Sequence, residues 1–202
     1  MFGLKRKNIM SVRTYGDPSL KKSSLPVMNI DHDIVLLAEA LINTMFADDG
    51  IGLAAPQVGV NLRMAALGVP MGKNGDGKLA ANSPGEMELL PQMPMILLNP
   101  EIIASSDAKE EREEGCLSLP DIYAPVIRPV SVVLKAQVFK GPNIQFECSG
   151  LLARAVQHEI DHLDGILFID RITEEERKKI QPRLDRLKKH GKRKGFLKGF
   201  SK

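Results

Sequence analysis

Two cysteines in 202 residues are too few for the disulfide framework of a small secreted domain. Cys116 and Cys148 could form one bond at most, and both are expected as thiols. The longest apolar runs, such as Ile34 to Leu37 and Met95 to Leu98, stop far short of the roughly 20 residues of a membrane-spanning helix. No membrane partner is therefore expected. The opening MFGLKRKNIM lacks the roughly 7 to 15 apolar residues of a secretory signal, which leaves the cytoplasm as the expected compartment. There is no internal repeat, and the length suits one domain with a tail.

What is present is unevenly distributed. The formal net charge is +3, but Arg171 to Lys202 holds 13 Lys or Arg against 4 Asp or Glu, a balance of +9 that leaves about −6 on the first 170 residues. An acidic body (1–170) and a basic C-terminal helix and tail (171–202) follow from that split. Ile34, Leu37, Leu41 and Met45 recur at helical spacing, predicting a helix over about Asp31 to Ala47 capped by Asp31 or Asp33. Short strands are expected at Arg63 to Val69 and Met95 to Asn99, and a hairpin over Val130 to Phe139 and Ile144 to Cys148. The stretch from Met71 to Pro91 has little periodicity and reads as a long surface loop or hairpin insertion. A further helix is expected from about Leu151 to Asp164, closed by Gly165. The last helix should begin after Thr173, with Glu176 completing a capping box, and Pro182 should break or kink it.

The chemistry is concentrated in His158-Glu159-Ile160-Asp161-His162. On a helix, histidines four residues apart share one face, and both imidazoles can meet one metal ion. Glu159 lies beside the position of a reacting water and can exchange its proton without occupying a coordination position. A catalytic site of this kind needs a third protein ligand and an open position. In metzincin proteases that ligand is a His six residues after the second, where this chain has Phe168. Thermolysin-like proteases use a later Glu, but Glu174, Glu175 and Glu176 sit in a predicted helix start, where capping accounts for them. His32 and His190 are isolated. Cys116 is the stronger candidate, because Gly115 before it lets the backbone come close to a metal. Cys148, at a strand end, reads as a small buried hydrophobe.

Three segments, Gly50-Ile51-Gly52-Leu53-Ala54-Ala55-Pro56-Gln57, Glu114-Gly115-Cys116-Leu117-Ser118 and Gln157-His158-Glu159-Ile160-Asp161-His162, together resemble the signature stretches of peptide deformylases of the bacterial type, in the family's order. The resemblance implies an α+β fold, with a central metal-bearing helix packed against short, mostly antiparallel sheets and a C-terminal helix. It implies hydrolysis of N-formylmethionyl peptides with release of formate. Cys116, His158 and His162 would be the metal ligands and Glu159 the proton carrier. The Gln57 side chain and the Leu117 backbone amide would be donors to the developing oxyanion. Ile51 and Gly52 would pair with the substrate main chain, while Leu151 and Ala155, on the ligand-bearing face, would line an apolar pocket for the methionine side chain. Glu114 and Arg128 are a candidate salt bridge positioning the Cys116 segment.

One Cys and two His ligands suit ferrous iron, zinc, nickel or cobalt, and the family's usual working ion is ferrous iron. The basic tail invites docking on ribosomal RNA; no DNA partner is expected. Ser11 to Asp17 resembles the family's usual opening, so translation could begin at Met10. Two other readings stand beside this one: an H-E-x-x-H endopeptidase, and a structural zinc anchor on a ribosome-binding module. The latter requires four protein ligands.

Overall fold

The computed structural model describes residues 8–72 and 81–191, with side chains described as far as 189. The extreme N-terminus, the centre of the expected insertion and the basic tail beyond 191 lie outside the described residues.

Helix α1 (His32–Ala47) starts where expected, with the Asp31 side chain accepting from the Ile34 amide. Strands β1 (Gly52–Ala54), β2 (Met64–Leu67), β3 (Met95–Ser105), β6 (Ser131–Val138) and β7 (Asn143–Ser149) form one sheet in the order β1-β2-β3-β6-β7, antiparallel throughout. Side chains alternate across a strand, and β3 shows the consequence. Ile96 and Leu98 join Ile34, Leu41 and Met45 of α1 in one cluster. Met95 and Leu97 join Leu152, Val156 and Ile160 of α3 (Gly150–Leu163) in another. The sheet is thus sandwiched between the two helices, and all four residues of β2 are buried.

Two strands were not anticipated. β4 (Lys109–Cys116) and β5 (Leu119–Pro129) make a separate two-stranded antiparallel sheet, so Cys116 ends a strand instead of merely preceding the β6–β7 hairpin. Ile122, Ala124 and Val126 on its inner face pack with Phe168, Ile180 and Leu184. The last two belong to α4 (Glu174–Gly191), which Thr173 caps through the Glu176 amide. Pro182 does not end that helix; Ile180 and Leu184 hold the turns on either side of it against the hairpin. The described C-terminal part of the Met71 to Pro91 segment, from residue 81, is also not simply a loop. It contains α2 (Pro84–Leu89), whose N-cap Ser83 accepts from the Glu86 amide. No helix among the described residues is long and apolar enough to cross a membrane.

Candidate metal centre

α3 turns one stripe, Leu152, Val156, Ile160 and Leu163, into the core and directs His158 and His162 toward the end of β4. There Cys116 Sγ lies 3.1 Å from His162 Nε2, and one donor atom from each of Cys116, His158 and His162 falls within 4.8 Å of the others. The two imidazoles sit edge to face, with centroids 5.0 Å apart. A register shift between Gly115 and Cys116 re-aims the cysteine at the end of its strand. Gly115 itself is crowded by a different neighbour than expected: a Cβ there would lie 2.5 Å from the Tyr123 ring across the hairpin.

The donor set fits a divalent transition metal. Sulfur and two imidazole nitrogens converge, His158 uses Nδ1 elsewhere and so presents Nε2, and the buried Glu159 Oε2 has no protein partner among the described residues. Among the described residues no fourth His, Cys, Asp or Glu joins the three, as a structural zinc anchor would require. Phe168, at the metzincin ligand position, is buried and stacked near His158.

Around these ligands runs a charge network. Glu114, buried after the exposed Lys109 to Glu113 of its strand, accepts from Arg128 Nε at 2.6 Å and Nη2 at 2.8 Å, from Arg154 Nη1 at 2.7 Å, and contacts His158 Nδ1 at 3.0 Å. Arg128 also reaches Asp161 Oδ2 at 2.8 Å, and Arg171 closes on the same carboxylate. Burial would raise the Glu114 carboxyl, but the Arg128 and His158 hydrogen bonds outweigh it and hold the group well below the carboxylate range. The expected Glu114–Arg128 pair is present, and it also orients a ligand: a carboxylate on Nδ1 fixes which nitrogen His158 offers.

Glu159 is buried against β1. A Cβ on Gly52 would fall 2.2 Å from Glu159 Oε1, so the absent side chain creates the seat for the carboxylate. Burial raises this carboxyl to about 7, against the opposing influence of the His158 and Arg128 charges. Gln57 is buried, accepts from the Ala54 amide through Oε1 at 2.7 Å, and points Nε2 toward Cys116 Sγ at 3.4 Å and Ser118 Oγ at 3.3 Å. A groove of about 760 Å³ opens over the centre. Ile51, Gly52, Gln57, Cys116, Leu117, Leu151, Ala155, His158 and Glu159 all line it, while His162 lies beneath, 1% exposed.

The polypeptide deformylase family model matches residues 9–178 of this sequence. The chain belongs to that family. Peptide deformylase of Chlorobium limicola is 41% identical over 181 residues, covering 89% of each chain. Among solved structures, peptide deformylase of Plasmodium falciparum superimposes with a TM-score of 0.77 at 30% identity, covering 93% of this chain and 100% of that one. Arabidopsis thaliana peptide deformylase 1B gives 0.75 at 37% identity, covering 93% and 95%. Deformylase relatives thus span bacteria, a plant and a protozoan.

Sequence reasoning passed over Arg154 and Tyr123, and placed Ser118 in a signature segment without giving it a role. Arg154 lies four residues before His158, a helical-face signal; Tyr123 and Ser118 become site residues only through hairpin register and the turn after Cys116.

Proposed function

We propose that this metal-dependent hydrolase removes the formyl group from N-formylmethionyl nascent peptides, releasing formate. The observation that carries the reading is the convergence of Cys116, His158 and His162 beneath an open groove, with an unpartnered carboxylate oxygen of Glu159 beside them. Family membership supplies the substrate class.

Cys116, His158 and His162 would hold the cation, with ferrous iron the expected ion in vivo and zinc, nickel or cobalt possible occupants of purified protein. When bound, such an ion supplies Lewis acidity toward a carbonyl oxygen and acidifies water near neutral pH. Glu159 accepts the proton of the attacking water at its unpartnered oxygen and returns it to the departing amine, which leaves poorly unless protonated. Gln57 Nε2 and the Leu117 amide are the donors to the oxyanion. The Gln57 assignment draws support from its Oε1 being tied to the Ala54 amide, which fixes the direction of the NH2 group.

Ile51 and Gly52 receive the peptide main chain as an added strand. That role suits β1, an end strand of its sheet with no second neighbour among the described residues. Leu151 and Ala155 contact the methionine side chain; Leu151 is 40% exposed on the groove wall, apolar surface that a substrate would cover. We assign residues 1–170 as the catalytic domain, and 171–202 as a basic helix and tail that docks on the ribosome. We also assign cytoplasmic residence and grouping with the bacterial type, the latter supported by bacterial relatives such as that of C. limicola.

The test is formate release from an N-formylmethionyl tripeptide by anaerobically purified, iron-loaded protein, beside the same peptide without its formyl group. Formate from the first with no cleavage of the second is expected. Cleavage of internal bonds in the unformylated peptide would return the endopeptidase reading.

A further inference from the structure

Arg154 has no part in the chemistry above, yet it is placed where the two ligand-bearing units meet. Cys116 comes from the β4–β5 hairpin and the histidines from α3, and the hairpin shares no strand with the five-stranded sheet. From α3, Arg154 donates Nη1 to Glu114 Oε1 at 2.7 Å and to the Val126 carbonyl at 3.1 Å, and Nη2 to the Glu110 carbonyl at 2.9 Å. One guanidinium therefore holds both strands of the hairpin. One turn later on the helix, His158 Nδ1 meets the other oxygen of the same carboxylate.

We propose that Arg154 is a positioning residue for the metal centre: it ties α3 to the Glu114 carboxylate and to both strands of the hairpin, and so fixes the spacing between Cys116 and the two histidines. Its competitor for that role, Arg128, approaches Glu114 from the buried side and is shared with Asp161. Arg154 approaches from the groove, whose wall it forms with Leu151 and Ala155. With Arg128 alone, both oxygens of Glu114 would keep a partner, but the hairpin would lose its guanidinium tie to α3 at Glu110, Glu114 and Val126. A planar, forked guanidinium can satisfy a carboxylate and two carbonyls at once; an ammonium on a lysine stem cannot reproduce that geometry.

The inference rests on the metal-site reading, and the experiment separates the two. Arg154→Met keeps the apolar stem along the groove and removes the guanidinium. In cobalt-loaded protein we expect Arg154→Met to shift the visible absorption bands and to release metal to a chelator about 10-fold faster than wild type. Turnover should fall similarly, with KM for the formylated tripeptide changed less than twofold. Arg154→Lys should recover part of the retention, and it also reports should the Met variant fail to fold. An Arg154→Met or Arg154→Lys protein with wild-type cobalt spectrum and release rate, altered only in melting temperature, would overturn the proposal. Failure of the wild type to bind one cobalt per chain would instead overturn the metal-site reading beneath it.

Discussion

Gly52 has no room for even a methyl group. A Cβ would sit 2.2 Å from Glu159 Oε1, so Gly52→Ala must push the carboxylate aside. A displacement near 1 Å at a reacting group can cost about 100-fold in rate, and formate release should fall by about that factor while metal content, measured by atomic emission, stays at wild-type level. Cys148 makes the opposite kind of prediction. Burial, and then the Glu86 and Glu147 charges, push its thiol up to about 12, so it has essentially no thiolate at pH 8. Peptide mapping after iodoacetamide treatment should find Cys148 unmodified in folded protein and alkylated in urea. At this scale the convergence of His158 and His162 was legible, since four-residue helical spacing is a local property. The contacts of Gly52 with Glu159 and of Arg154 with two strands were not, because each depends on register between segments distant in sequence.

Elements were legible where their apolar period was clear. α1, α3 and the β6–β7 hairpin lie within a residue or two of expectation. β4 was missed because Lys109 to Glu113 are exposed charged residues without alternation, and β5 because Pro120, Pro125 and Pro129 interrupt it. A two-stranded sheet tolerates both, having outer edges that need no amide partner. α2 is too short to show a period, though Ser83-Pro84-Gly85-Glu86 carries a helix-start pattern. Its anchor is Glu86, 5% exposed, which accepts from the Asn82 amide at 2.8 Å and from Ser149 Oγ at 2.6 Å. Glu86→Ala strands those donors and should cost about 2 kcal/mol in urea unfolding. Leu184 of α4 is fully buried, and Leu184→Ala should cost about 3 kcal/mol. A change below about 0.5 kcal/mol would mean that α4 does not dock on the hairpin as described.

For the whole molecule, the metal centre spans two units that share no sheet, so an ion bound there ties the hairpin to the α1–sheet–α3 sandwich. Binding at about 1,000 times Kd contributes about 4 kcal/mol, and chelation should lower the melting temperature by about 10 °C together with activity. Charge distribution also belongs to this scale: the excess of +9 beyond Asp170 attracts phosphate, and ribosome co-sedimentation should weaken on deletion of residues 192–202. Undiminished co-sedimentation would remove the tail from that role. The most direct test of the central claim compares wild type, Glu159→Ala and Cys116→Ala for bound metal and formate release under anaerobic conditions. The account predicts that Glu159→Ala keeps one metal per chain and loses turnover, whereas Cys116→Ala loses both. A Glu159→Ala protein that still releases formate at the wild-type rate, or a Cys116→Ala protein that holds its metal as tightly as wild type, would contradict it.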